Sequence, residues 1–332
     1  MPKISVLIPT WNAAKFIPRC LDSLLAQTFT DWEAICVSDG SPDNSVEILH
    51  EYAAGDKRFK VIEKKNTGVS DTRNVAMSHA AGEYIMYLDS DDFIHPQTME
   101  ITYNLARSEC ADMVSYCHDK KLYKQLHKQM QKNVNPLDID LSIVTTIYSK
   151  VKFKQTDDIM SFVTERSRGG ARWKIRHCYP CMALYRHKLI SGMQFNKNIP
   201  AYEDIPWFGE ILLRRPKTVI TKLPLYYYIP NPTSIVFRHK SLKMIKNLGA
   251  SVSHTYKLYQ KKASPREMKI WQREFLWPFI FTMFRELRYI DSVADIKAAR
   301  SVFKDMNACG MLDNPKTFRA RRYQRRIMRF LK

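Results

Sequence analysis

Three aspartates within four residues, Asp89-Ser90-Asp91-Asp92, follow directly on the apolar and aromatic run Glu83-Tyr84-Ile85-Met86-Tyr87-Leu88. A run of that composition reads as a buried strand, which places the carboxylates at its carboxyl end. Grouped carboxylates repel one another and are costly to desolvate, so a cation commonly neutralises them. With oxygen ligands and no Cys or His beside them, the cation expected is Mg2+ or Mn2+, which keep positions open for water and substrate phosphates. The competing reading is an acidic surface turn capping a helix that starts near Pro96. A second acidic pair, Glu203-Asp204, stands before the aromatic-rich helix start Ile205-Pro206-Trp207-Phe208. There it would complement the helix dipole.

The elements between these groups must position them. Residues 3–9 read as a first apolar strand that breaks at Pro9-Thr10-Trp11-Asn12. A helix is expected from about Ala14 to Gln27, where Phe16, Ile17, Leu21, Leu24 and Leu25 fall at helical spacing. A second strand, Trp32 to Val37, ends in Ser38-Asp39-Gly40-Ser41-Pro42-Asp43, with Asp43 or Asn44 as N-cap of the next helix. Phe59-Lys60-Val61-Ile62 makes a third strand, followed by Asn66-Thr67-Gly68 and a helix to about His79. The fourth strand reaches the acidic turn, and a fifth, Asp112 to Tyr116, follows one more helix. This alternation specifies a mainly parallel sheet covered on both faces, an α/β fold whose ligands bind outside the carboxyl ends of the strands. Four successive strand ends carry Asn12, Asp39, Asn66 and Asp89, which read together as one site, the competing reading being ordinary turn chemistry.

No Gly-x-Gly-x-x-Gly follows the first strand and no Gly-x-x-x-x-Gly-Lys occurs, which argues against a dinucleotide dehydrogenase and a P-loop NTPase. The 332 residues are 45% apolar and 12% aromatic, as in a globular chain with a sizeable core. The opening residues do not read as a signal peptide, and no apolar run approaches the ~20 residues that span a bilayer. Seven cysteines, an odd number, suggest structural thiols in a reducing compartment, so a cytoplasmic location is expected. The net charge of +20 points to an anionic partner without choosing among a nucleotide, a nucleic acid and a lipid headgroup surface.

Five pieces in order resemble glycosyltransferase family 2, inverting enzymes of the GT-A fold. They are Val6-Leu7-Ile8-Pro9-Thr10-Trp11-Asn12, Val37-Ser38-Asp39-Gly40-Ser41-Pro42-Asp43-Asn44-Ser45, Asn66-Thr67-Gly68-Val69-Ser70, Thr72-Arg73-Asn74 and Tyr87-Leu88-Asp89-Ser90-Asp91-Asp92. The resemblance is strong from residue 3 to about 115 and continues more faintly to about 240. It implies that Pro9, Thr10, Trp11, Asn12 and Asp39 hold base and ribose, Asp39 accepting a hydrogen bond from uracil N3. Asn66 and Ser90 fall in the same nucleotide-sugar site. Gly68 would allow close backbone approach, and Arg73 would steady the base or the acidic turn. Asp89 would face the ribose and Asp91 would hold the metal, Mn2+ or Mg2+, that bridges the diphosphate. Asp71 departs from the small residue usual in the family and would alter the surroundings of Arg73. In the family a Glu-Asp pair supplies the general base, which makes Asp204 the base and Glu203 its neighbour.

Beyond the resemblance the chain is less specific. Residues 120–174 turn basic and polar and include Arg166-Ser167-Arg168-Gly169-Gly170, which suits an acceptor-covering lid or a solvated insertion. Cys178-Tyr179-Pro180-Cys181 lacks the second Cys/His pair of a zinc site, so structural thiols are expected. The Tyr-rich stretch Leu225-Tyr226-Tyr227-Tyr228 reads mostly as core, while Ser234, Arg238 or His239 would suit a loop over the diphosphate. From Leu242 the pattern is helical, and Pro278 should kink or end a helix. At the end, Tyr323, Ile327, Phe330 and Leu331 share one helical face and arginines fill the other. Such a helix lies in a membrane interface or docks on the protein by its apolar face.

The domain reading is a nucleotide-sugar-binding half, 1–115, an acceptor-binding half with a basic insertion, 116–240, and a helical C-terminal extension, 241–332. The expected activity is sugar transfer from a nucleotide diphosphate sugar, UDP favoured, to a glycan or lipid-linked acceptor in cell-surface polysaccharide synthesis. The basic helix would hold the protein peripherally on the inner face of the membrane, and no specific nucleic acid is expected. A nucleotidyltransferase would share the first half without needing Glu203-Asp204. A nucleic-acid-binding protein would use the basic tail but leave the acidic turn unexplained.

Overall fold

The computed structural model describes residues 1–119, 124, 148, 151–156, 179–229, 242–313, 315 and 317–332. Most of the basic stretch 120–174 therefore lies outside the described residues, as do Cys178, Ser234, Arg238 and His239. The chain forms two compact units that interleave in sequence. Met1–Asp157, Pro180–Phe195 and Pro216–Asn231 make the first; Asp158–Tyr179, Asn196–Arg215 and Pro232–Lys332 make the second. The segment carrying Glu203-Asp204 thus belongs with the helical extension, not with the sheet.

The first unit is built on strands β1 (Ile4–Thr10), β2 (Trp32–Asp39), β3 (Phe59–Lys64), β4 (Tyr84–Tyr87), β5 (Phe93–Ile94), β6 (Met113–His118), β7 (Phe153–Thr156), β8 (Ala183–Arg186) and β9 (Thr218–Tyr227). They pair in the order β3-β2-β1-β4-β8-β6-β9-β5, with β7 on β9. The run β3-β2-β1-β4 is parallel throughout, as the alternation of strands and helices requires. Every residue of β1 and β2 is buried, which is why they read as continuous apolar runs without alternation. The second half is mixed: β8 enters antiparallel between β4 and β6, and two-residue β5 pairs antiparallel with β9. The strand expected at 112–116 is accordingly the sixth in the chain. Helices α1 (Ile17–Leu25), α2 (Ser45–Gly55), α3 (Val69–Ser78), α4 (Thr98–Ser108) and the short α5 (His187–Ile190) complete the unit.

The second unit is helical. Helix α6 (Asp204–Leu213) is crossed by the 21-residue α7 (Leu242–Lys262). The crossing is close because position 209 is glycine: a Cβ there would stand 2.7 Å from Thr255 Cγ2. Helix α8 (Pro265–Trp271) runs through a π-helical turn, Gln272–Leu276, into α9 (Trp277–Glu286). Pro278 falls in the first turn of α9, directly after the π-helical turn, and the helical run continues through it. Helices α10 (Val293–Ala308) and α11 (Phe318–Leu331) close the unit.

The apolar face read from the tail is occupied inside this unit. Ile327 is fully buried, Tyr323 packs on Phe281 with centroids 4.5 Å apart, and Phe330 lies 6.1 Å from both Phe284 and Phe303. Arg321, Arg322, Arg325 and Arg329 are exposed. Of the two readings of the tail, the docked helix is the one observed, because partner aromatics on α9 and α10 cover the face that would enter a lipid interface. No helix among the described residues is long and apolar enough to cross a membrane.

The loop after α6 is tied to α8 by a two-pronged ion pair. Arg215 Nε and Nη2 donate to Glu267 Oε1 and Oε2 at 2.8 and 3.1 Å. Glu267 also accepts the Ser264 N–H at 2.7 Å and so completes a capping box. Hydrogen bonding from Arg215 draws the Glu267 carboxyl down to about 2, against the cost of its burial. A depressed carboxylate stabilises the fold above its unfolded value, and that stabilisation is lost as the pH falls through the folded value. Glu267→Gln is therefore expected to be less stable than the parent at neutral pH. The difference should begin to narrow near pH 4.3, the ordinary glutamate value, and close near about 2. Denaturant unfolding of both proteins across this range checks it, and a gap that stays constant on acidification would exclude the ion pair as the cause.

Candidate active site

The parallel register brings the strand ends of the first unit onto one edge. Thr10 pairs with Ser38, Asp39 with Lys64, and Leu7 with Tyr87, one residue before the strand runs into Leu88 and the acidic turn. The turn after β1 is fastened to the turn after β2 by side chains of the latter. Ser41 Oγ accepts from Asn12 N at 3.3 Å, Ser45 Oγ from Ala13 N at 2.9 Å, and Asp43 Oδ2 from Ala14 N at 2.9 Å. Asn44 is the N-cap of α2 without a capping side-chain bond, because Asp43 bonds Ser45 and the neighbouring turn instead. Asn12 has φ 51, in the left-handed region that Asn tolerates, and Trp11 beside it is 51% exposed. Pro9 and Thr10 are buried within β1, and the Thr10 hydroxyl turns back to Ile8 O.

Asp39 is buried and holds the turn after β3. It accepts Lys64 Nζ and Thr67 N on Oδ1, the latter at 2.9 Å, and Gly68 N on Oδ2 at 2.9 Å. Gly40 makes this approach possible: its φ is 64, and a Cβ there would stand 3.0 Å from Asn66 N. Gly68 takes φ 93, and among the described residues nothing beyond its chain neighbours lies within 4 Å of where its Cβ would be. Asn66 is exposed at the rim of the same turn. Asp71, expected to act on Arg73, faces Lys64 at 3.3 Å and accepts the Thr67 hydroxyl.

The three aspartates of the acidic turn have separate surroundings. Asp89 accepts Arg73 Nη2 at 3.0 Å, so Arg73 steadies the turn. Arg73 in turn lies over the Phe195 ring at 5.2 Å, and Asn74 clamps the Phe195 backbone from both sides at 2.8 and 2.9 Å. Asp92 is 1% exposed; Tyr226 Oη donates to Oδ2 at 2.6 Å and Ile229 N to Oδ1 at 2.8 Å. Burial pushes the Asp92 carboxyl well above the usual range, and the Asp91 and Asp89 charges push the same way. Arg19, over the Phe93 ring at 5.2 Å, adds positive charge toward Asp92 and Asp91. Ser90 is buried between them, and Asp91 is half-buried. Much of the repulsion that a cation was expected to relieve is thus relieved by the protein.

Asp89 and Asp91, both half-buried, offer carboxylate oxygens and no nitrogen or sulfur ligand. Among the described residues no group of three or more His, Cys, Asp or Glu is placed to hold a metal alone. Mg2+ is usually bound by one or two carboxylates with phosphates and water completing the shell. The residues therefore fit a divalent cation that arrives with a diphosphate, and they do not form a closed cage.

The second unit presents Glu203 and Asp204 at the start of α6. Glu203 is the N-cap residue and is buried, while Asp204 is half-buried in the first turn. Tyr202 just before them has φ 64, a conformation that costs a bulky residue on the order of 1–3 kcal/mol and persists only where packing dictates it. Burial pushes the Tyr202 hydroxyl up to about 12, helped by the charges of Asp204 and Glu286. Ser251 on α7 donates to Ala201 O at 3.4 Å. The helical extension thus supports the segment that carries the acidic pair. Cys181 is buried, and burial pushes its thiol well up, as befits a structural cysteine.

Sequence reasoning did not single out Lys64, Phe195 or the pairing of Asp92 with Tyr226. The run Thr72-Arg73-Asn74 was a signal for the Phe195 clamp, whereas the other pairs are set by strand register and long-range packing.

Comparison with known proteins places this arrangement. A family model described as "Glycosyl transferase family 2" matches residues 5–192. The chain is 30% identical over 264 residues to the "Uncharacterized glycosyltransferase EpsJ" of Bacillus subtilis, covering 79% of this chain and 69% of that protein. Among solved structures, S. aureus TarS 1-349 in complex with UDP-GlcNAc superposes with TM-score 0.54 at 19% identity over 90% of this chain and 88% of that one. The mannosyltransferase PcManGT from Pyrobaculum calidifontis, with GDP-Man and Mn2+, gives TM-score 0.53 at 13% identity over 99% of this chain and 85% of that one. These structural likenesses establish the GT-A fold. Matched over more than half its length by the family model, and at 30% identity to a relative of which it covers 69%, the chain belongs to glycosyl transferase family 2.

Proposed function

We propose that the protein transfers a sugar, with inversion, from a UDP-sugar to a hydroxyl of a glycan or lipid-linked acceptor in the synthesis of a surface polysaccharide. The observation that supports this reading is the strand-end edge of the first unit: parallel pairing aligns β3, β2, β1 and β4, which lead into the turns bearing Gly68, Asp39, Trp11 with Asn12, and Asp89 with Asp91, and Arg73 bonds Asp89. Residues 1–115 serve the donor and 116–240 the acceptor, with 241–332 supporting the helix that bears the acidic pair.

Asp39 receives the base, Trp11 and Asn12 border it, and Asp89, fixed by Arg73, meets the ribose. Asp91 would hold a divalent cation, which when bound supplies positive charge to the diphosphate that leaves. Asp204 takes the proton of the acceptor hydroxyl as its oxygen forms the new bond to the anomeric carbon and the bond to the diphosphate breaks. Glu203 contacts hydroxyls of donor or acceptor.

Asp204→Asn keeps the shape and removes the proton-accepting charge. Transfer should fall about 10²–10⁴-fold with donor affinity little changed, since the nucleotide contacts lie in the first unit. Calorimetry of donor binding beside the transfer rate decides this, and transfer at the parent rate would place the base elsewhere. Asp91→Asn should abolish transfer and weaken nucleotide binding in Mn2+ or Mg2+, whereas full parent activity in chelator would refute metal dependence.

The protein is also proposed to sit on the cytoplasmic face of an anionic membrane. Since the apolar face of α11 is covered, the contact is electrostatic, through Arg321, Arg322, Arg325 and Arg329. Each basic residue near such a surface contributes about 1 kcal/mol. Replacing Arg321, Arg325 and Arg329 by Gln should lower affinity for phosphatidylglycerol vesicles on the order of 100-fold while sparing turnover of a soluble acceptor. Unchanged vesicle binding would reject this surface.

A further inference from the structure

The GT-A fold by itself does not choose the base, since one solved neighbour holds UDP-GlcNAc and another GDP-Man. The surroundings of Asp39 do bear on the choice. An ionised carboxylate has roughly four lone-pair sites and can accept two parallel N–H bonds, as from a guanine edge with its N1–H and N2–H. Here three of those sites are filled from within the chain, by Lys64 Nζ, Thr67 N and Gly68 N. Oδ1 carries two of these donors and Oδ2 carries one, which leaves a single acceptor site on Oδ2.

Lys64 is held in this position from several sides. It stands opposite Asp39 in the β2–β3 register, its side chain is 14% exposed, and it faces Asp71 at 3.3 Å. It also donates to Thr67 Oγ1 and to Lys65 O, the latter at 3.2 Å. Asp71 therefore offsets the lysine charge and holds the ammonium against Oδ1. A lysine swinging freely could vacate that oxygen when a bidentate base arrived; one clasped by two carboxylates and a hydroxyl cannot do so without breaking an ion pair.

We infer that Lys64, braced by Asp71, is a specificity-determining positioning residue that makes Asp39 a one-bond acceptor. The acceptor then fits a base edge with one N–H flanked by carbonyls, uracil, and discriminates against guanine. This inference rests on the nucleotide-sugar reading of the strand-end edge. It adds to it the group that sets the choice of base.

The test measures UDP and GDP binding by calorimetry to the parent protein and to Lys64→Met, with UDP methylated at N3 as a third probe on the parent. The parent should prefer UDP, and the N3-methylated nucleotide should lose that preference. Lys64→Met should narrow the UDP-to-GDP affinity ratio by roughly tenfold, the worth of about one hydrogen bond, through a gain for GDP. A general loss of fold would weaken both nucleotides alike and leave the ratio unmoved. A parent that prefers GDP, or a Lys64→Met protein with the parental ratio, overturns the inference while leaving the glycosyltransferase reading intact. A parent that binds none of the probes overturns both. Should Lys64→Met not fold, the parent's ranking of the three probes decides alone, and equal binding of UDP and its N3-methyl form rejects the one-bond acceptor.

Discussion

The structure depends on how negative charge is accommodated where buried strands end. A carboxylate at such a place loses water without gaining an apolar environment it can tolerate, so it must be given donors or a countercharge. Each aspartate on this edge meets the demand differently. Asp39 is wrapped by two amides and an ammonium, Asp89 takes a guanidinium, and Asp92 takes a phenol and an amide from the far end of the sheet. These bonds connect neighbouring turns, so the demand for neutralisation also sets the relative placement of the loops. Asp89 and Asp91 both keep half-buried positions in that turn while Asp39 and Asp92 are buried, so chemically identical side chains end in different surroundings.

The helical unit applies a related logic through packing. Thr255 and Tyr259 of α7 meet α6 at Gly209, where there is no side chain to hold them off, and Tyr259 Oη reaches the Gly209 carbonyl at 3.3 Å. The far end of α6 is tied by Arg215 to a carboxylate that also caps α8. The helix bearing Glu203 and Asp204 is therefore fixed along its flank and beyond its C-terminus, while its first turn is reached through the left-handed Tyr202.

How much was legible in the sequence follows from how local each determinant is. Strands β1 to β4 and the helices between them are written in contiguous apolar runs and helical spacing, and they were read nearly to their ends. Two-residue β5 carries no such pattern, because antiparallel pairing with β9, remote in sequence, specifies it. The polar strand ends were legible for the same local reason. The Asp39–Lys64 pair was not, since strand register is a property of two segments, and Asp92 meets Tyr226 across 134 residues. For the tail the pattern itself was ambiguous. Arginines opposite Tyr323, Ile327 and Phe330 suit a lipid surface or a bed of aromatics equally well, and only the positions of Phe281, Phe284 and Phe303 distinguish them.

That bed of aromatics makes the last helix a cover as much as a charged surface. Arg319 and Arg326 lie over Phe281, Phe284 and Tyr323, and Arg300 over Phe330, so the cations sit at the rim of an apolar seam. The charge of the helix and its role as cover reside on different residues. Outward arginines can drift in number and spacing with little effect on folding, whereas Ala320, Tyr323, Ile327 and Phe330 are bound to the shape beneath them. A shortened chain lacking this helix would lay bare a patch of phenylalanines, and self-association would be a more immediate consequence than any change in turnover.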